Sequence, residues 1–318
     1  MKKILKRIGW TILVLLVVAG IGLTGFVGYM VAYNVTHVSS REETLENVSK
    51  YSQGYQDFAK KHTVEEISFP SSEFDHQIPA ILVEEEGNQN LAVLVHGMGG
   101  TKESLSQVAD IFLDLGFNIL AYDQRNSGEN MADSESFGLW ESYDALDAVA
   151  YAKDHMDQVG QSGKLLLFGE SYGGATALIA SSRDDSNIDY LVLDCPVANG
   201  YELVEPNLKE VEEKEGAPVD YTKFTGDIYM KLTLGFTLDD INSAEYIKGK
   251  ALKAPVLIMN SKADDVTPYH MGKEIYDAIE GNRKVLHTEE SYGHTKFVLE
   301  APDQYKDCLL YTSPSPRD

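Results

Sequence analysis

The feature that most constrains this chain is the pentapeptide Gly-Glu-Ser-Tyr-Gly at residues 169–173. It follows the apolar run 165–168 and precedes a helix-like stretch at 174–180. A strand, then Gly-x-Ser-x-Gly, then a helix is the pattern of a nucleophile elbow, a sharp turn that presents a serine hydroxyl to a substrate. Glycine at both flanks lets the strand and the helix approach closely. The pattern therefore predicts Ser171 as a nucleophile.

From residue 65 onward, short apolar runs alternate with helix-like segments. An uninterrupted run such as 91–95 is typical of a strand that is buried on both faces. Strands that alternate with helices indicate a mostly parallel sheet covered by helices on both sides. The alternation breaks at residues 197–253, and we predict that this insertion forms a small helical cap. The predicted strands are 67–69, 78–83, 91–95, 118–122, 164–168, 190–194, 255–259 and 284–287.

The N-terminal segment indicates a membrane anchor. Residues 8–36 carry no charged side chain, and four cations (Lys2, Lys3, Lys6 and Arg7) precede them. As a helix, this segment would extend about 43 Å, which exceeds the ~30 Å of a bilayer's hydrocarbon core. The positive-inside rule places the N-terminus in the cytoplasm and the remainder outside. We predict an uncleaved anchor within residues 1–37, and the alternative is a cleaved signal peptide, for which no clear cleavage site is present.

Two further boundaries follow from local patterns. Ser40 and Glu43 form a possible capping box, which predicts a stalk helix within residues 38–64 that leads to a domain at 65–307. Residues 308–318 resemble the conceptual translation of a sequencing adapter. We expect them to be non-native and to carry no function. The alternative is a natural disordered tail rich in proline and serine.

Charge and cysteine content exclude several classes of function. The formal net charge is −23, which argues against binding to nucleic acid. Without the predicted tail, Cys195 is the one cysteine left, so no intramolecular disulfide is expected. No group of histidine, cysteine and carboxylate residues has the spacing of a metal site, so we expect neither a metal nor another cofactor.

A serine nucleophile needs a base, and the base needs an orienting carboxylate. Among eight histidines, His294 lies in the loop after the last predicted strand, where a base can reach back to Ser171. The loop after strand 255–259 carries two adjacent candidates for the acid, Asp264 and Asp265. We favour Asp264 because it lies four residues before Pro268. The chain order is then nucleophile, acid, base.

The oxyanion of an acyl-transfer reaction needs two aimed donors. We predict that one is the backbone N–H of Tyr172, at the start of the helix that follows the elbow. The other is predicted at Met98, in the loop His-Gly-Met-Gly-Gly at 96–100. A phosphate-binding loop is excluded because no Gly-Lys-Ser/Thr follows. We expect His96 to support this loop by hydrogen bonding.

Residues 65–307 resemble the α/β hydrolases of the serine aminopeptidase and prolyl-oligopeptidase-like group. The matching segments are 96–100, 122–128, 169–173 and 264–268, together with His294. The resemblance implies an eight-stranded, mostly parallel sheet with flanking helices, and similar membrane-tethered hydrolases occur in Gram-positive bacteria. Asn126 departs from the pattern, because relatives usually have glycine there.

These observations predict a membrane-anchored, extracytoplasmic serine hydrolase with a small-molecule acyl or peptide substrate. A carboxylesterase-type acyl hydrolase ranks first by analogy of fold. The alternatives are a serine peptidase, an acyltransferase and a non-catalytic binding protein that retains the fold.

Overall fold

The computed structural model describes residues 2–312, and one eight-stranded sheet organises most of them. The strand order is β1-β2-β4-β3-β5-β6-β7-β8. β2 runs antiparallel to β1 and β4, and every other pairing is parallel. The predicted α/β-hydrolase fold is therefore confirmed. The strands are β1 (Val64–Pro70), β2 (Gln77–Val83), β3 (Asn90–Val95), β4 (Phe117–Tyr122), β5 (Leu165–Glu170), β6 (Tyr190–Asp194), β7 (Val256–Ser261) and β8 (Lys284–Glu289).

Helices connect the strands, as the alternating pattern predicts. A short 3-10 helix, Lys102–Leu105, precedes the helix between β3 and β4. The α-helices are α1 (Lys2–Thr36), α2 (Arg41–Lys61), α3 (Ser106–Asp114), α4 (Glu141–Val159), α5 (Tyr172–Arg183), α6 (Gly200–Glu215), α7 (Val219–Thr233), α8 (Ser243–Ile247), α9 (Tyr269–Ala278), α10 (Phe297–Glu300) and α11 (Pro302–Thr312).

The core lies around the central strands. Residues 91–95 of β3 and 165–168 of β5 are buried, which agrees with their uninterrupted apolar sequence. Phe112 of α3 packs edge-on against Phe168 of β5, with 5.7 Å between ring centroids. The central strands thus form a rigid platform, and their C-terminal ends carry the loops in which the predicted site residues lie.

The predicted stalk helix is α2, and it begins with the predicted capping box. The Ser40 hydroxyl accepts a hydrogen bond from the Glu43 N–H, and the Glu43 carboxylate accepts one from the Ser40 N–H. Phe58, near the other end of α2, is buried among the residues of the hydrophobic core. This end of α2 therefore packs against the core of the domain that contains the sheet.

The predicted tail coincides in part with α11. This helix includes residues 308–312, and Leu309 is buried. Residues 313–318 lie outside the described part of the chain. The non-native origin of residues 308–318 stays a prediction.

The chain divides into two compact units. One consists of residues up to 36 together with Tyr201–Ile241, and it contains α1, α7 and nearly all of α6. The other consists of His37–Gly200 together with the chain from Asn242 onward, and it contains the sheet. Within the first unit, α1 packs against α7. Among the described residues, one helical segment near the N-terminus is long and apolar enough to cross a membrane.

Candidate active site

The turn between β5 and α5 holds Ser171 in a strained backbone conformation. Its φ is +55° and its ψ is −116°, which L-residues rarely adopt. A Cβ atom on Gly169 would lie 2.2 Å from the carbonyl oxygen of Gly173, and one on Gly173 would lie 2.2 Å from that of Val95. Only glycine fits at either flank, because strand and helix backbones are in contact there. This is the local geometry that the Gly-x-Ser-x-Gly pattern predicts.

Three predicted residues from three separate loops meet at this turn. His294 Nε2 lies 2.9 Å from Ser171 Oγ. On the other side of the ring, His294 Nδ1 lies 2.8 Å from Asp264 Oδ2. An ionised carboxylate can only accept hydrogen bonds, so Nδ1 carries the proton and Nε2 is free to accept from the serine hydroxyl.

Asp264, rather than Asp265, is the carboxylate that reaches the histidine. Asp264 is buried, whereas Asp265 is exposed. Oδ1 of Asp264 accepts from the backbone N–H groups of Val266 and Thr267, each at 2.9 Å, and Oδ2 also accepts from the Thr267 hydroxyl at 2.9 Å. Burial favours the neutral carboxyl, but hydrogen bonds from His294 and Thr267 outweigh it and hold the pKa of Asp264 below its usual value.

The loop after β3 places Met98 beside the elbow. The Gly97 carbonyl oxygen accepts from the Gly100 N–H at 3.1 Å, and Gly99 has a φ of +73°, as at the third position of a type II turn. Met98 occupies the second position, whose N–H is not used by the turn. A Cβ atom on Gly97 would lie 3.4 Å from the Ser171 Cβ, so the loop adjoins the serine. Both predicted donors, Met98 and Tyr172 at the first position of α5, thus border Ser171.

His96 holds this loop in place. Its Nε2 accepts from the Gln124 N–H at 3.0 Å, and its Nδ1 donates to the Gly97 carbonyl oxygen at 2.8 Å. The Gln124 side chain donates to the His96 carbonyl oxygen at 2.6 Å and accepts from the Thr176 hydroxyl at 2.8 Å. Burial lowers the pKa of His96, so the ring is neutral and suited to this pair of bonds.

Asn126, the departure from the family pattern, adopts a left-handed backbone conformation with a φ of +53°. Asparagine tolerates this region better than most residues. Its side-chain amide donates to the Ser39 carbonyl oxygen at 2.8 Å. The replacement of glycine therefore keeps the turn and adds a bond to the segment that precedes α2.

Two carboxyl groups near the triad are absent from the sequence prediction. Burial and the neighbouring Asp194 raise the pKa of Glu170 to about 7. Burial likewise raises the pKa of Asp194 to about 6, although Asp194 Oδ2 accepts from the Tyr305 hydroxyl at 2.8 Å. Asp194 is the last residue of β6, and β6 lies next to β5, which leads into the elbow. Its position at the end of a predicted strand is therefore the sequence signal that indicates a carboxyl group near the site. The bond from Tyr305 depends on the docking of α11, for which the sequence has no local signal.

Cys195 contributes to a group of possible metal ligands with Asp264 and His294, whose ligand atoms lie within 4.8 Å of one another. The last two are already hydrogen-bonded to each other. Burial raises the pKa of the Cys195 thiol well above its usual range, which disfavours the thiolate that metals bind. The donor set thus fits a triad better than a metal centre.

The arrangement has the parts that covalent acyl transfer requires. A hydroxyl contacts a histidine base, a buried carboxylate fixes the histidine tautomer, and two backbone N–H groups border the nucleophile.

Comparison with known proteins agrees with this architecture. A family model for the alpha/beta hydrolase fold matches residues 91–225. The uncharacterized protein YqkD of Bacillus subtilis (strain 168) is 26% identical over 322 residues, which cover 96% of this chain and 99% of that protein. The lysophosphatidylserine lipase ABHD12 of Xenopus tropicalis is 23% identical over 257 residues, which cover 72% of this chain but 62% of the lipase. This chain therefore matches less than two thirds of that lipase.

Solved structures show the same fold. The esterase Pf2001 of Pyrococcus furiosus superposes with a TM-score of 0.62 at 16% identity, over 80% of this chain and 90% of the esterase. Est1E from Butyrivibrio proteoclasticus, solved with ferulic acid bound, superposes with a TM-score of 0.55 at 16% identity, over 77% of this chain and 98% of Est1E. At this level of identity the likeness establishes the fold alone.

Proposed function

The chain is a member of the α/β-hydrolase superfamily, and from that premise we propose that it is a membrane-anchored serine hydrolase that cleaves acyl esters. The observation that carries the proposal is the contact chain from Ser171 Oγ through the His294 ring to Asp264, with distances of 2.9 and 2.8 Å. Contacts of this length on both sides of one imidazole are what a serine triad requires.

The reaction begins when Ser171 Oγ attacks the carbonyl carbon of the ester. The hydroxyl proton passes to His294 Nε2, and the positive imidazole is stabilised by Asp264. The N–H groups of Met98 and Tyr172 stabilise the negative oxygen of the tetrahedral intermediate. His294 then gives its proton to the departing alcohol, which leaves an acyl group on Ser171.

Water completes the cycle. His294 takes a proton from a water molecule, whose oxygen attacks the acyl carbon. The second tetrahedral intermediate collapses, the carboxylic acid departs, and the proton returns to Ser171 Oγ. A different acceptor alcohol in place of water would give acyl transfer by the same steps.

The similarity to known proteins favours an ester as the substrate. YqkD, which matches nearly the whole chain, is uncharacterized, while the lipase and esterase named above act on esters by their names. We therefore place ester hydrolysis before peptide hydrolysis. No described residue outside the triad supports a specific peptide subsite.

Membrane anchoring is the second part of the proposal. The support for it is α1, which exposes nearly all of its apolar side chains, an arrangement that fits contact with lipid. The cations at its start favour a cytoplasmic N-terminus and an extracytoplasmic catalytic domain.

Labelling with a fluorophosphonate probe tests the catalytic proposal. The full chain should react at Ser171 and hydrolyse a short soluble ester, and Ser171→Ala should abolish both. Ser127→Ala is the matched control, because Ser127 is also a buried serine at a loop turn. Among the described residues, its hydroxyl donates a hydrogen bond to the Arg125 carbonyl oxygen and to no other group. Folded protein that stays unlabelled, or labelling that survives Ser171→Ala, would overturn the proposal.

A further inference from the structure

Helix α7 carries a stripe of large apolar side chains that the protein leaves exposed. Phe224 is 61% exposed and Leu232 is 81% exposed, and Tyr221 and Ile228 are exposed beside them. The four residues recur at spacings of three and four, so they lie along one face of the helix. A continuous apolar face that is exposed on a protein surface indicates that a partner covers it.

Lys223 and Asp227 of α7 lie away from this stripe and neutralise each other. Lys223 Nζ pairs with Asp227 at 2.8 Å and with Asp239, beyond the end of α7, at 2.9 Å. Helix α7 is thus amphipathic, with one apolar exposed face and a separate face of paired charges. Such a helix can present its apolar face to the acyl chains of a bilayer while its paired charges face away from them.

A third face of α7 packs closely on α1. A Cβ atom on Gly28 would lie 2.5 Å from the Thr225 carbonyl oxygen, and one on Gly226 would lie 2.4 Å from Val31 Cγ1. The two helices therefore approach nearly to backbone contact. Small residues four apart on both helices, Gly28 with Ala32 and Thr222 with Gly226, make this possible, as they do between helices within membranes.

The contact lies on the part of α1 that leaves the hydrocarbon core. If the core begins at Ile8, where the charged residues end, then about 20 residues cross it and the helix emerges near Val27. The Tyr221 hydroxyl lies 3.1 Å from the Thr24 hydroxyl, and Tyr29 packs edge-on against Tyr229 at 5.9 Å. Tyrosine is enriched at this depth of a bilayer.

We propose that the exposed face of α7 is a membrane-binding surface in the leaflet at the C-terminal end of α1, and that the enzyme takes acyl esters from that leaflet. The inference rests on the proposed function, because it takes α1 to span a membrane and the protein to hydrolyse esters.

The continuity of the two apolar surfaces is the reason to name lipid as the occupant. Tyr221 belongs to the stripe and also contacts Thr24 of α1, so the stripe adjoins the exposed surface of α1. Val17 and Ile21 are exposed and share a face of α1 with Thr24, so acyl chains that cover them would adjoin the stripe.

Fluorescence quenching by brominated lipids tests whether the exposed stripe of α7 contacts acyl chains. The full chain carries Trp10→Phe and Trp140→Phe, which remove its two tryptophans, and is placed in vesicles. Phe224→Trp or Leu232→Trp should lose roughly half or more of its fluorescence in brominated vesicles. Val211→Trp, at an exposed position of the acidic helix α6, is the matched control and should lose little.

The contact with α1 supplies a second, independent variant. Gly28→Leu should separate α7 from α1 and weaken the quenching at position 232. Gly25→Leu is its control, since nothing lies within 4 Å of a Cβ atom there. Equal quenching at 224, 232 and 211 would overturn the proposal, and so would a stripe protected by a second copy of the chain, detected as a cross-linked dimer without quenching.

Enzyme rates test the substrate class. The double variant Phe224→Glu, Leu232→Glu should hydrolyse an acyl ester embedded in vesicles roughly tenfold more slowly. The charged side chains do not bury in the bilayer, so the contact between α7 and the membrane is weakened. The rate of the double variant on a short soluble ester should stay within about twofold. Equal loss on both substrates, or no loss on either, would overturn the substrate assignment. Failure to hydrolyse any ester would instead refute the proposed function, while the quenching result still decides where α7 lies.

Discussion

The substitution Asp264→Asn tests the proposed triad most directly, because the structure determines how the new amide must point. Oδ1 of Asp264 accepts two backbone N–H groups, from Val266 and Thr267. An asparagine that turned its NH2 group toward these donors would lose both bonds, at a cost of about 1–3 kcal/mol each. The amide oxygen therefore stays there, and the NH2 group faces His294.

This orientation reverses the histidine tautomer. The NH2 group can only donate, so His294 Nδ1 must accept and the ring proton moves to Nε2. Nε2 then has no lone pair for the Ser171 proton, although every distance in the triad is kept. We expect kcat to fall by about 10³–10⁴, which corresponds to roughly 4–5 kcal/mol of transition-state stabilisation.

The assay compares kcat for a soluble ester, and the rate of fluorophosphonate labelling, in Asp264→Asn and Asp265→Asn. The second variant makes the same chemical change at the exposed neighbour, so it should keep its rate within about twofold. Thermal melting should show both variants folded. If Asp264→Asn keeps more than about a tenth of the wild-type rate, or if Asp265→Asn shows the larger loss, the assignment of the acid is wrong.

Two further predictions concern buried carboxyl groups. Burial, with a contribution from Glu141, raises the pKa of Glu135 to about 8, so the folded state holds a proton that the unfolded state releases above about pH 4.5. Glu135 by itself should then lower the free energy of unfolding between about pH 5 and 8 by up to about 1.4 kcal/mol per pH unit, and Glu170 and Asp194 add to this slope. Glu135→Gln should make the slope less steep in urea titrations, and parallel slopes for the two proteins would contradict the prediction. Tyr305→Phe removes the donor to Asp194 and should lower the free energy of unfolding by about 1.5–3 kcal/mol at pH 8, with a smaller loss at pH 5, where Asp194 is protonated; equal losses at both pH values would speak against it.

Much of the fold follows from local patterns in the sequence. The uninterrupted apolar runs predict the buried strands because a strand covered on both faces tolerates few polar side chains. Ser40 and Glu43 predict the start of α2 because a capping box needs only residues three apart. The exposure of Phe224 and Leu232 on α7 has no such local signal. Sequence periodicity identifies the apolar face of a helix but not what covers it.

The sequence by itself predicted Ser171 as the nucleophile, because a strand, a Gly-x-Ser-x-Gly turn and a helix follow one another in the chain and form a local pattern. Gly169 and Gly173 stand where only glycine fits. The sequence also narrowed the acid to two adjacent aspartates and the base to His294. Only the tertiary structure decided between Asp264 and Asp265, since that choice depends on which side chain the turn before Pro268 directs inward. The same holds for the bond from Tyr305 to Asp194 and for the packing of Gly28 on α7, which join residues far apart in the chain. Such contacts have no periodic signature, because they depend on how completed elements pack and not on the residues next to them.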